Sequence, residues 1–257
     1  IREQGRFQHE VLEEFHHQVS REGRQWRDLT PAEACDCVGR IADELTPRFG
    51  NGMMLATEQN RFLAVTYKAA LQRFIHVLVT WMSQYEFDPC AVELGFGLPS
   101  SSLPAWELDL GAGHRLAFRG RIDRVDVWRV PNSRTVLCVV MDYKSGQRKL
   151  DRLLLAHGIQ QQLPAYLNML RRVPAAAAAF DADELVPAGV FFVNLRGAYP
   201  SGAHRREVLD SQAEAHLLAY RHEGLFDLAH LRKLDRRPDA RTGDQFSYRL
   251  RNDGQPF

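Results

Sequence analysis

The chain has 257 residues, 45% hydrophobic and 25% charged, with 33 Lys and Arg against 32 Asp and Glu. That length and balance suit a folded domain with its own core, and exclude disorder, collagen, coiled coil or a disulfide scaffold for the whole chain. A net charge of +1 gives no global basic field, so any nucleic-acid contact must come from a local patch.

In chain order, Phe7, Val11, Leu12 and Phe15 have helical spacing. Thr30-Pro31-Ala32-Glu33 is a capping box with proline at the first helical position, and predicts a helix to about Leu45. Another helix is predicted from Thr57 to about Tyr85, with Phe62, Val65, Ala69, Phe74, Leu78 and Trp81 on one face and Phe62 and Trp81 read as core. Strands are predicted over 91–95, 106–110, 116–128 and 135–143, with turn signals at 99–102, 111–113 and 131–133. A helix over 159–172 follows, then a helix end or surface loop at 175–179, a strand over 190–195, a helix over 211–222 and a polar tail after Arg236. Helices, a small antiparallel sheet, then helix and strand give α/β or α+β with one core. No stretch reads as a membrane span or signal peptide. There are no internal repeats and no domain linker.

Cys35, Cys37, Cys90 and Cys138 lack zinc or iron–sulfur spacing. Cys138, inside the run Val136-Leu137-Cys138-Val139-Val140, reads as a buried reduced thiol and points to a reducing compartment. No G-x-x-x-x-G-K-[ST] loop occurs, so the chain has no P-loop of its own. It begins at Ile1, which points to a piece of a longer protein or a processed form.

The chemistry gathers in two segments. In Val140-Met141-Asp142-Tyr143-Lys144, positions two apart share a face, so Asp142 and Lys144 project together. A charged pair at the end of a buried strand is costly unless something uses it. Gly120-Arg121-Ile122-Asp123-Arg124-Val125-Asp126 is also strand-like. A turn lies roughly midway between Asp123 and Asp142, so an antiparallel hairpin brings the two carboxylates together. Close carboxylates repel unless a divalent cation offsets them. Taken alone, Asp142 and Lys144 are more often a surface ion pair, and Asp123 a strand-edge acid paired with Arg121 or Arg124. Asp126 faces away from Asp123 and reads as structural, a partner of Arg124. Glu93, at a strand start, also reads as structural. Gln162 and Tyr166 lie one helical turn apart. The basic residues Arg148, Lys149 and Arg152, with Arg171 and Arg172, read equally as a DNA path or a solvated face.

Five segments in order resemble the RecB/AddB-type nuclease domain of the PD-(D/E)XK superfamily. They are Gly5-Arg6-Phe7-Gln8-His9, Val92-Glu93-Leu94-Gly95-Phe96, Gly120 to Asp126, Asp142-Tyr143-Lys144-Ser145-Gly146, and Gln162-Leu163-Pro164-Ala165-Tyr166. The tail Phe246-Ser247-Tyr248-Arg249-Leu250 looks like the C-terminal stretch of AddB-type subunits. The resemblance implies a restriction-endonuclease-like α/β core: a central mixed sheet flanked by helices, with the metal site at its edge. It implies a single nuclease domain, with a helical part over 1–88 delivering His9, a catalytic sheet core over 89–200 and an extension over 201–257. It implies His9, Asp123, Asp142 and the Tyr143 carbonyl as ligands of Mg²⁺, with Mn²⁺ as substitute. Lys144 would position water or neutralise charge, and Gln162 and Tyr166 would complete the site and touch DNA phosphates. Many AddB-type subunits carry a four-cysteine iron–sulfur cluster, which the cysteines here do not support. The implied activity is metal-dependent, exonuclease-like DNA hydrolysis in the bacterial cytoplasm. Single-stranded ends would be fed by a helicase portion or subunit absent from this chain. A freestanding exonuclease of the same superfamily, or an inactive DNA-binding or scaffolding domain, are the alternatives.

Overall fold

The Glu33 amide donates to the Thr30 hydroxyl, and the Glu33 carboxylate accepts from the Thr30 amide at 2.7 Å. That box, with Pro31 behind it, starts α2 (Pro31–Leu45) as the sequence predicts. Before it runs α1 (Arg2–Arg21), and after it α3 (Glu58–Trp81), capped by Thr57 and continued by one 3₁₀ turn, Met82–Gln84. The computed structural model describes residues 2–146, 148–197 and 217–255.

The buried stripe of α3 differs from the predicted one. Ala64, Tyr67, Leu71, Phe74 and Leu78 are buried, whereas Phe62 and Val65 are 70% and 68% exposed. The apolar spacing of the first turns is therefore not core, although Phe74, Leu78 and Trp81 are. The stretch Glu58–Gln84 is also long and apolar enough, by length and composition, to cross a membrane, against the sequence expectation. Half of that window is buried inside the fold, packed with α1, α2 and the sheet.

Among the described residues, seven strands form two sheets: β1 (Asp88–Phe96), β2 (Trp106–Gly111), β3 (His114–Phe118), β4 (Gly120–Arg129), β5 (Thr135–Lys144), β6 (Glu184–Asn194) and β7 (Glu223–Phe226). The main sheet has the order β1-β4-β5-β6-β7 and is mixed, with β5–β6 parallel and every other pair antiparallel. The parallel pair needs a long crossover, supplied by α4 (Arg152–Ala156), α5 (Gln162–Arg172) and α6 (Pro174–Ala179). The predicted strand over 116–128 is two strands in two sheets. β3 pairs with β2 in a separate hairpin, while β4 pairs with β1 and β5.

Alternation along β5 divides the interior, so among the described residues two buried apolar clusters, one on each face of the sheet, stand in place of the one core expected. Leu137, Val139, Met141 and Tyr143 face the α1–α3 layer. Val136, Cys138 and Val140 face Leu163, Met169 and Leu170 of α5. Cys138 is fully buried, and burial pushes its thiol up to about 12. The helix predicted over 211–222 lies mostly outside the described residues. The polar tail is anchored by Phe246, which is buried against Tyr85, Phe191 and His222.

Arg124 and Asp126 form a fully buried bidentate pair, with Arg124 Nε and Nη2 donating to the two Asp126 oxygens at 2.6 and 2.5 Å. The guanidinium lies 4.7 Å from the centre of the Trp26 ring. Asp126 is thus the structural partner of Arg124 that the sequence indicates.

His222 is fully buried, its Nδ1 donating to the Tyr220 carbonyl at 2.9 Å. Burial, reinforced by Arg124, lowers its pKa from 6.5 to about 3. The unfolded chain takes up a proton near pH 6.5 that the fold refuses. His222 therefore leaves stability intact above that pH and lowers it as pH falls toward 3. The slope from one such group is about 1.4 kcal/mol per pH unit. Thermal unfolding between pH 7 and 4 should fall less steeply for His222→Asn than for the wild type. Equal slopes would show that His222 takes up its proton in the folded state as readily as in the unfolded one.

Candidate active site

The site is built where three neighbouring strands each present an acid. The β4–β5 pairs run from Arg129↔Val136 to Arg124↔Met141, and one further step puts Asp123 opposite Asp142. On the other side, Val92↔Arg124 and Leu94↔Ile122 leave Glu93 opposite Asp123. Glu93, Asp123 and Asp142 thus form a row across β1, β4 and β5. The regular ladder gives way here, and the Tyr143 amide donates to Asp123 Oδ2 at 2.6 Å. Glu93 has φ 48°, a left-handed conformation that costs a non-glycine residue about 1–3 kcal/mol.

α1 carries His9 to this row. Its Nδ1 lies 2.8 Å from Glu93 Oε1 and 3.7 Å from Asp123 Oδ1, with the ring edge-on to Tyr143. One ligand atom from each of His9, Glu93 and Asp123 falls within 4.8 Å of the others. His16, by contrast, is a buried core residue beside Trp26. Glu93 is the site residue that sequence reading assigns to structure. It lies inside β1 rather than at a strand start, and its partner is set by a pairing with β4 about thirty residues away.

Asp142 anchors a second network. It is ion-paired with Lys144, as their spacing predicts, and accepts from Gln162 Nε2 at 2.8 Å. Gln162, the first residue of α5, also donates from Nε2 to the Tyr166 hydroxyl at 2.9 Å and accepts from Lys144 Nζ at 3.2 Å. The Tyr166 ring stands edge-on to Phe96. Gly120 makes room for this pair: a Cβ there would lie 3.2 Å from Phe96 and 3.7 Å from the Tyr166 ring.

Asp123 and Asp142 are 9% and 1% exposed. Burial, with Asp142 and Glu93 adding repulsion against the pull of His9 and the Tyr143 amide, raises Asp123 to about 7. Burial also raises Asp142, although Lys144 and His9 draw it back. Burial alone would lower His9, but its bond to Glu93 and the charges of Asp123, Glu93 and Asp142 raise it overall. The site is therefore short of positive charge. One imidazole with clustered carboxylates is a donor set that fits a hard divalent cation and leaves positions for water and phosphate oxygens. Arg148 and Lys149 line a nearby cavity, while Arg152, exposed at the start of α4, is not among its lining residues.

A family profile described as the PD-(D/E)XK nuclease superfamily matches residues 2–243. The chain is 39% identical to an ATP-dependent helicase/deoxyribonuclease subunit of Symbiobacterium thermophilum, over 67% of this chain and 16% of that protein. It is 32% identical to the protein of the same name from Moorella thermoacetica, over 97% of this chain and 21% of that protein. The chain thus spans about a fifth or less of the length of these relatives. The acids and the lysine span β1, β4 and the central β5 rather than the sheet's edge as expected. With the profile covering nearly all of its length, and a mixed sheet that aligns them on three neighbouring strands, the chain belongs to the PD-(D/E)XK nuclease superfamily.

Proposed function

We propose that this chain hydrolyses DNA phosphodiester bonds with a divalent metal, Mg²⁺ or Mn²⁺, held by His9, Glu93, Asp123 and Asp142, with the Tyr143 carbonyl as a further ligand. The observation that carries this reading is the row of three carboxylates on adjacent strands, with an imidazole at one end and an ammonium at the other. The metal, when bound, supplies a water made acidic enough to act near neutral pH and charge to offset the phosphate. Lys144, pinned between Asp142 and Gln162 Oε1, presents its ammonium to a water or a phosphate oxygen. Gln162 and Tyr166 form the wall against which the phosphate lies. Arg148, Lys149 and Arg152 offer backbone contacts that need no base reading.

The relatives' names pair a helicase with a deoxyribonuclease, and the setting proposed for this chain is a bacterial helicase–nuclease that acts at DNA ends in double-strand break repair in the cytoplasm. In that setting a motor portion or subunit would deliver a single strand, and the chain would act as an exonuclease. The test is cleavage of end-labelled single-stranded DNA in Mg²⁺ or Mn²⁺, with EDTA and Asp142→Ala as controls. Cleavage lost in both controls is the expected result. DNA binding with no cleavage in either metal would favour a non-hydrolytic binding domain. Absence of metal binding by calorimetry would sink the site assignment.

A further inference from the structure

Past Lys144 the fold holds a second feature, a cavity of about 180 Å³. Lys144 Nζ lies 5.5 Å from the centre of the Phe192 ring, and Phe192 lines the cavity. The walls gather Arg148, Lys149 and Arg221 against one acid, Glu223. These residues come from separate places: the segment after β5, the segment before β7, and β7 itself. Asn194, 5% exposed, braces one wall by donating to the Gly197 and Ala219 carbonyls at 3.1 and 2.9 Å. Arg221 is tied to the tail, its Nε donating to the Asp244 carbonyl at 3.4 Å.

Three cations facing one small space repel one another, and an anion there removes the repulsion. Pockets that enclose drug-sized ligands run to about 300–1,000 Å³, so this one suits a single charged group. The group that DNA repeats at every step is the backbone phosphate. We propose that the cavity is a phosphate subsite, which holds a backbone phosphate neighbouring the one cleaved, with Arg221 as the cation that sequence reading does not select. The proposal rests on the nuclease reading and adds to it a place where the strand is gripped beyond the reacting bond.

The test compares two substrates in Mn²⁺: a single-stranded oligonucleotide, and bis-p-nitrophenyl phosphate, which offers one phosphodiester and no neighbouring phosphate. For Arg221→Gln, and for the exposed pair Arg148→Gln/Lys149→Gln, the ratio of kcat/KM on the oligonucleotide to kcat/KM on the small diester should fall at least tenfold. The loss should sit in KM, and Arg221→Lys should restore part of it. Oligonucleotide binding should lose about 0.7 from its log–log salt slope for each contact removed. An unchanged ratio for Arg221→Gln, whether from no loss or from an equal loss on both substrates, overturns the subsite, because Arg148 and Lys149 already carry backbone contacts in the proposed function. Inorganic phosphate protecting the cavity arginines from chemical modification as well as DNA does would assign the cavity to the free ion and overturn the strand proposal. A wild type that hydrolyses neither substrate fails the nuclease reading instead, and the salt slopes then still report on the cavity.

Discussion

Asp123→Asn and Lys144→Ala should each lower the DNA-cleavage kcat by about 10²–10³-fold, and metal titration should separate them. Asp123 faces His9, accepts from the Tyr143 amide and lies between Glu93 and Asp142 in the strand register. Its asparagine variant removes one of the charges that would hold the cation, so half-saturation should move to higher Mn²⁺ together with the fall in kcat. Lys144 is an ammonium beside Asp142, and its loss leaves the carboxylates in place. The alanine variant should therefore bind Mn²⁺ within a few-fold of the wild type and fail in turnover. Single-turnover cleavage with calorimetric metal binding measures both quantities. A Lys144→Ala protein with normal kcat would remove the lysine from the mechanism.

The second large effect is on stability. Asp126→Ala should destabilise the fold by about 3–5 kcal/mol, because it leaves the Arg124 guanidinium buried and without its carboxylate. Arg124 titrates well above the usual range: burial alone would lower it, but Asp126 overrides burial. Replacing both partners, as Arg124→Met/Asp126→Leu, should recover most of the loss, since paired removal leaves no stranded charge. Chemical denaturation of the two variants decides this. A single variant as stable as the wild type would mean that water or another group reaches Arg124.

How much of this can be read in advance follows the range of the interactions involved. The Asp123–Asp142 meeting depends on one short hairpin, and its turn is visible in the chain. Asp142 with Lys144, and Gln162 with Tyr166, depend only on strand and helix periods. Those pairs are together in the structure. Glu93 depends on how β1 aligns with β4 and on a backbone conformation that no local pattern announces. The α3 error has a similar origin. Apolar residues at helical spacing mark a stripe, but which stripe is covered depends on where the neighbouring helix and sheet begin, and Phe62 and Val65 lie on the uncovered side. The division of the predicted strand over 116–128 turns on which partner each half pairs with, which is again a tertiary matter.

β4 places Asp123, Arg124 and Asp126 within four consecutive positions, the first at the site and the other two in the dry interior. A slip of one residue along its neighbours would carry a guanidinium toward the acids and leave a lone carboxylate among the helices. Both outcomes are costly, so the buried pair acts as a peg that excludes the shifted pairing. The accuracy with which Asp123 meets its partners is then maintained by residues that never touch a substrate. Substitutions there should therefore loosen the alignment of Asp123 along with the fold that holds it.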